Sequence, residues 1–271
     1  MKLGIGSCTY PWAVGLPEYP PAQALTPTDL MKRALELDIR VVQFGDNMPL
    51  NGLEPGDLRE ITEFAYGNHI EIEVGTRGLE YEPLMLQVEI ARHLDAKLLR
   101  VVPELQGHEL KPDEVLARLR PVVRRLREME MRLAIENYDR YPARILAHIV
   151  EELGPEHAGV CLDTANSFGA LEGPEVVVET LAPYTINLHL KDFVIRRVKT
   201  QMGFVLSGTA VGQGRLNVPW ILGKVRHAGH DDANAIIELW TPLAGTLEAT
   251  IANEQTWAEE SIAYLREFIT D

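Results

Sequence analysis

Short runs of aliphatic residues alternate along the chain with longer stretches whose apolar positions recur at helical spacing. The first run, K-L-G-I-G-S from Lys2, is followed by a Pro- and Tyr-rich loop over 10–21. Thr26-Pro27-Thr28-Asp29 then opens an amphipathic helix to about residue 37, with Pro in its first turn where the missing N–H is harmless. I-R-V-V-Q-F-G-D reads as a second strand, I-E-I-E-V-G-T-R as a third and A-K-L-L-R-V-V as a fourth, with helices over 56–67 and 83–94 between them. A long helix over 112–129 carries Val115, Leu116, Leu119, Val122, Val123 and Leu126 on one face.

Four further strands follow: R-L-A-I-E, G-V-C-L-D, I-N-L-H and A-I-I-E. Helices are predicted between them over 142–153, 173–181 and 218–227, and a last helix spans 247–268. Eight strand–helix units at a spacing of about thirty residues match the length of a (β/α)8 barrel. No linker or shift of composition interrupts them, so the expected organisation is one TIM-barrel domain over 1–271. A doubly wound open sheet would need a glycine fingerprint leading into a helix. G-I-G-S-C-T lacks the later glycine and runs into a Pro-rich loop instead.

The last four strands end in Glu136, Asp163, His189 and Glu238. A charged or imidazole side chain closing an otherwise apolar strand is expensive to desolvate unless something pairs with it. Four such endings on successive strands point to one shared partner, and a divalent cation is the economical choice. Three carboxylates and one imidazole suit Mn²⁺, Mg²⁺ or Co²⁺ better than a thiolate-preferring ion.

Composition narrows the functions. The chain has 271 residues, 46% of them hydrophobic, enough for a large core. Its formal charge of −14 opposes binding to a phosphate backbone and argues against nucleic acid as substrate. No apolar stretch has the length of a membrane span, and no signal-peptide pattern precedes the first strand, which leads to the expectation of a cytoplasmic protein without a membrane partner. The two cysteines, Cys8 and Cys161, exclude a disulfide framework and lack C-x-x-C spacing.

Several motifs together resemble the xylose isomerase-like TIM-barrel superfamily, which includes sugar isomerases, ketose 3-epimerases of the tagatose type and endonuclease IV. They are A-I-E-N-Y-D (134–139), C-L-D-T-A-N (161–166), L-H-L-K-D (188–192), G-T-A-V-G-Q-G-R-L (208–216) and I-I-E-L (236–239). The resemblance covers the whole chain, and the order Glu, Asp, His, Glu on consecutive strands is its specific part. It implies that Glu136, Asp163, His189 and Glu238 ligate one divalent metal. It also implies that Glu136 and Glu238 are the acid/base pair on the two faces of a bound ketose, acting through a metal-stabilised enediolate. A homo-oligomer, dimer or tetramer, is the corresponding family expectation. Where many isomerases of the superfamily carry His two places after the first Glu, this chain has Tyr138.

Substrate contacts are expected from Lys191, just past His189, and from Arg196 in the long loop after it, which also carries Arg197 and Lys199. Cations there suit a sugar-acid carboxylate or a phosphate; a Lys191–Asp192 surface pair and a solvated charge run are the plain alternatives. Gln43, Arg77 and Glu104 lie at or beyond the ends of strands two to four and are candidate specificity contacts. Asn166 and Asn137 follow ligand positions and are expected to orient carboxylates, with Asn166 also within reach of substrate. Trp12 is a candidate apolar wall. The glycine-rich stretch 208–214 lacks the Lys-Ser/Thr ending of a phosphate loop and reads as a tight turn folding back over the barrel mouth.

A small keto-sugar or sugar acid is therefore the expected partner, and isomerisation or epimerisation the first reading. The L-H-L-K-D-F-V-I-R-R stretch is also similar to 3-oxo-isoapionate decarboxylases, so a lyase, decarboxylating or dehydrating a keto-sugar acid, is the second. An apurinic endonuclease would need histidines at the ends of strands two and three, where Q-F-G-D-N and E-V-G-T-R-G stand. A non-catalytic sugar-binding barrel would have no use for the acid/base pair.

Overall fold

Strands β1 (Leu3–Gly6), β2 (Val41–Phe44), β3 (Glu71–Arg77), β4 (Leu98–Val102), β5 (Arg132–Glu136), β6 (Ala158–Asp163) and β7 (Thr185–Leu190) run parallel and in order around a closed barrel. After a hairpin of β8 (Phe193–Arg197) and β9 (Phe204–Gly208), β10 (Asn234–Ile237) closes the ring between β7 and β1. The computed structural model describes residues 1–200 and 202–270. The fold is the (β/α)8 barrel that the alternation of short and long apolar patterns predicts.

Helices α1 (Pro11–Val14), α2 (Pro27–Glu36), α3 (Pro55–Gly67), α4 (Tyr81–His93), α5 (Pro112–Glu128), α6 (Ala143–Leu153), α7 (Pro174–Leu181), α8 (Val218–His227) and α9 (Leu247–Leu265) occupy the connections. Their starts are written locally. Thr26 accepts the backbone N–H of Asp29 while the Asp29 carboxylate reaches back to Thr26, which closes α2 at a worth of about 1 kcal/mol. In α5 the six apolar residues singled out by spacing are the six that are buried. No helix among the described residues is long and apolar enough to cross a membrane.

The stretch 10–21, expected as a loop, holds the short helix α1, and the region after Lys191 needs a larger correction. The segment after Lys191 is not an open loop but an antiparallel ribbon, Phe193 pairing with Gly208 and Arg197 with Phe204. Its β-branched Val194 and Ile195 suit a strand, and the two arms pair from Phe193–Arg197 to Phe204–Gly208.

That ribbon is anchored at its base by Asp192, which is buried and does not pair with Lys191. Its carboxylate accepts backbone N–H groups from Phe193, Gly212, Gly214, Arg215 and Leu216 at 2.8–3.1 Å. The glycine-rich turn thus wraps an anion, and the anion is the chain's own. Gly214 is required there, because a Cβ would lie 2.1 Å from the Asp192 Oδ1. Asp192→Ala leaves these donors without an acceptor and is expected to destabilise the fold by on the order of 3 kcal/mol. The readouts are a lower urea midpoint and faster proteolysis within 193–216; an unchanged midpoint would show that water replaces the carboxylate.

Candidate active site

The parallel ladder delivers the strand-end residues to one mouth. Glu136 is paired with Cys161, and Asp163 two residues later is paired with His189, which also faces Ile236 of β10. Glu238 is the first residue beyond β10, and its N–H donates to Leu190. One ligand atom from each of Glu136, Asp163, His189 and Glu238 lies within 4.8 Å of the others, and all four residues are buried. Glu136 and Glu238, 102 positions apart in sequence, become neighbours because their strands are close in the order of the closed barrel.

The donor set fits a hard divalent cation. Glu136 Oε2, Asp163 Oδ2 and His189 Nδ1 are buried without a partner in hydrogen-bonding geometry. Their nearest opposite charges are ionic neighbours: Arg100 Nε at 3.2 Å, Lys191 Nζ at 3.0 Å and Glu238 Oε1 at 3.0 Å respectively. Buried polar atoms of this kind are rare unless a further partner serves them. Cys161 is near enough to replace Asp163 and Glu238 in a smaller cluster. Burial pushes its thiol up to about 12, and Sγ donates to Asn187 at 3.3 Å, so the oxygen-rich set is the better ligand group.

Lys191 sits inside the cluster, with Nζ 2.6 Å from Glu238, 3.0 Å from Asp163 and 3.1 Å from Asn166. Burial disfavours its charge, but Asp163, Glu238 and Glu136 outweigh that and hold its pKa well above the usual lysine value. Burial likewise works against ionised Glu238, yet Lys191 and His189 keep its carboxyl well below the ordinary range. For His189, burial opposes the charged ring, while Cys161, Glu238 and Glu136 raise its pKa well above the free value.

Asn166 touches three members of the site: its amide donates to Glu136 at 2.8 Å, its N–H to Asp163 at 2.8 Å, and its carbonyl accepts from Lys191. Asn137 acts differently from its expected role. It exchanges hydrogen bonds with the backbone of Asp163 at 2.7 and 2.8 Å, stapling β5 to β6 where the aspartate leaves the strand. Gln43 is buried inside the barrel and turned to His189, with Oε1 2.9 Å from Nε2. Arg77 lies at the rim, paired with Asp46 at 2.9 Å and Glu104 at 3.3 Å and stacked over Tyr138. Arg196 is exposed on the hairpin, away from the four-donor cluster's ion pairs. Trp12 is tied down by its indole N–H to Thr241 and packs edge-on to Tyr19.

The residue that sequence reading missed is Arg100. It is 1% exposed in the middle of β4, with Nε 3.2 Å from Glu136 and Nη1 3.1 Å from Asp46. Burial alone would raise the Glu136 carboxyl; the Arg100 guanidinium, helped by His189, pulls it below its ordinary value. Gly75 makes room, since a Cβ there would stand 2.9 Å from the guanidinium. The signal was available: an arginine within L-L-R-V-V meets the same desolvation argument as the strand-end acids.

Beside the cluster, over the ends of β2 to β4, lies a cavity of about 860 Å³ lined by Asp46, Arg77, Glu104, Gln106, Arg140 and Tyr141 among others. It does not contain the four donors. Arg100 links the two, touching Asp46 on the cavity side and Glu136 on the other.

Known proteins carry the same frame. A family model described as xylose isomerase-like TIM barrel matches residues 75–268. The 3-oxo-isoapionate decarboxylase of Pectobacterium atrosepticum is 31% identical over 236 residues, which cover 87% of this chain and 86% of that protein. Among solved structures, D-psicose 3-epimerase with D-tagatose from Clostridium cellulolyticum H10 superposes with a TM-score of 0.72 at 14% identity, covering 100% of both chains. A xylose isomerase-like TIM-barrel protein from Mycobacterium smegmatis in complex with magnesium gives 0.68 at 12% identity, covering 97% of each.

Proposed function

The chain belongs to the xylose isomerase-like TIM-barrel family, and from that premise we propose that it is a divalent-metal-dependent enzyme acting next to the carbonyl of a keto-sugar or keto-sugar acid. The observation that carries this reading is the buried Glu136–Asp163–His189–Glu238 cluster, whose ligand atoms lie within 4.8 Å of one another. Mn²⁺, Mg²⁺ or Co²⁺ in that cluster would draw electron density from a substrate carbonyl oxygen and lower the cost of negative charge there.

The chain's own residues divide the remaining work. Lys191, already beside Asp163 and Glu238, offers an ammonium to a substrate carboxylate or hydroxyl. Glu238 is the mobile proton carrier: it stands 2.6 Å from the Lys191 ammonium, which can exchange a proton with it. Glu136 is tied to Arg100 and Asn166, so it serves first as a fixed anion and second as the partner base on the opposite face. Arg77 and Arg196 stand further out as contacts for the distal end of the substrate.

Decarboxylation of a 3-oxo sugar acid is the favoured reaction. It is supported by the 31% identity to the Pectobacterium decarboxylase along most of both chains. It also suits a site in which Glu136 is held as an anion. There the carbon–carbon bond breaks, its electron pair passes into the carbonyl, carbon dioxide leaves, and the Lys191 ammonium supplies a proton to carbon, directly or through Glu238. Isomerisation or epimerisation is the second reading, favoured by two glutamates in one cluster, and requires Glu136 to take or return a proton itself.

A panel of ketoses and 3-oxo sugar acids with Mn²⁺ in deuterium oxide separates the two. The expected result is carbon dioxide release with one deuterium at the carbon that lost it. Retention of every substrate carbon with deuterium exchange would transfer the protein to the epimerases, and no reaction without or with metal on either class would sink both readings.

A further inference from the structure

A row of polar side chains threads the barrel interior beneath the cluster, and its buried members Gln43, Glu73, Asn187 and Asn234 do not line the cavity over β2 to β4. Glu73, on β3, is 2% exposed. Its Oε2 accepts the amide N–H groups of Gln43 and Asn187, both at 2.9 Å, and its Oε1 accepts that of Asn234 at 2.9 Å. Asn234 also donates to Glu71 at 2.7 Å, and Glu71 pairs with Lys2 at 2.6 Å at the far end of the barrel. Burial pushes the Glu73 carboxyl above its ordinary value, and the three amides pull against it.

The direction of each hydrogen bond in this row is set by Glu73. Both of its oxygens accept amide N–H groups, so the amide nitrogens of Gln43 and Asn187 face it. Gln43 is thereby left with its carbonyl oxygen toward His189, 2.9 Å from Nε2. A carbonyl also only accepts, so Nε2 must carry a proton. With Nε2 committed to Gln43, Nδ1, aimed at Glu136 and Glu238 from 3.7 and 3.0 Å, is the nitrogen left to give up its proton to a cation. Asn187 reinforces the setting, because its Oδ1 accepts a second N–H contact from Gln43 at 3.1 Å and the thiol of Cys161.

We propose that Glu73 is a positioning residue which, through the amide of Gln43, fixes the proton of His189 on Nε2 and turns the Nδ1 lone pair into the four-donor cluster. The proposal rests on reading that cluster as a cation site, where a partner on the outer nitrogen of a ligating histidine sets its orientation and basicity. Without Glu73 the Gln43 amide keeps only its 3.1 Å contact to Asn187, whose own amide has lost its carboxylate partner, and it can turn to present N–H to the ring and favour the opposite tautomer.

The test uses full-length protein labelled with ¹⁵N-histidine. Long-range proton–nitrogen spectra report which ring nitrogen of His189 bears hydrogen, and calorimetry reports Mg²⁺ affinity. In the wild type Nε2 should carry its proton with and without Mg²⁺. Glu73→Met should give a tautomer mixture or its reversal, together with about 10- to 100-fold weaker Mg²⁺ binding. Glu73→Asp, which keeps an acceptor, should restore part of both. A folded Glu73→Met protein with the wild-type histidine spectrum and Mg²⁺ affinity would overturn the proposal. Should that variant not fold, Gln43→Met leaves the Asn187 and Asn234 bonds to Glu73 in place. It must show the same loss of the Nε2 proton, and an unaltered spectrum there overturns the relay equally. If the wild type fails to bind Mg²⁺ or Mn²⁺ while Glu73→Met still displaces the proton, the cation reading falls and the relay stands.

Discussion

Turnover in a Glu238→Gln variant is expected to fall by about 10²- to 10⁴-fold, the usual contribution of a positioned proton carrier. The substitution keeps the side chain's size and an oxygen that can face a cation, but removes the group able to take a proton from Lys191 at 2.6 Å. Mn²⁺ should therefore still bind, more weakly, since two carboxylates and the imidazole remain. Parallel measurement of turnover and Mn²⁺ titration checks both halves. Wild-type turnover in this variant would take Glu238 out of proton transfer and leave it a ligand only; loss of all metal binding would make the activity result uninformative about protons and would assign Glu238 to the cation instead.

The second large effect concerns stability. Arg100→Met is expected to destabilise the protein by about 3–5 kcal/mol, because it leaves Glu136 and Asp46 with uncompensated charge in or near the barrel interior. Methionine fills much of the volume, so charge rather than a cavity dominates the change. The pH dependence gives the sign. Arg100 holds the Glu136 carboxyl below its ordinary value, as it does that of Asp46 against the opposing effect of burial. The stabilisation from such a depressed pKa is present above the ordinary carboxylate value and is lost as pH falls through the folded one. The gap between wild type and variant should accordingly be widest near neutrality and shrink as the solution is acidified. Urea unfolding from pH 7 down to pH 4 measures it, and equal midpoints throughout would mean that the guanidinium contributes no net stabilisation.

Both effects depend on how a barrel treats polar residues. Strands of a closed parallel barrel are covered on the outside by helices and filled on the inside by side chains, so their sequences are apolar on both faces. A polar residue within such a strand is conspicuous, but the pattern does not say what it meets. Glu136 and Asp163 were legible because each ends a strand, where the mouth of the barrel lies. Arg100 and Glu73 were as conspicuous by composition, yet their partners stand 36 and 114 residues away in Glu136 and Asn187, on strands whose register no local rule supplies.

The amino-acid order by itself determined the strand–helix alternation, the barrel, the helix starts at Thr26 and Pro112, and the succession of four strand-end ligand types. Those are local or periodic properties, decided by desolvation cost and by the spacing of apolar residues within one element. Only the tertiary structure decided that Asp192 fills the glycine turn, that Phe193–Arg197 and Phe204–Gly208 pair as a ribbon, that Lys191 lies among the carboxylates, and that Arg100 and Gln43 stand behind Glu136 and His189. Each of those is a choice of partner across the barrel, made by ring closure and strand register, which bring together groups that no stretch of chain holds side by side.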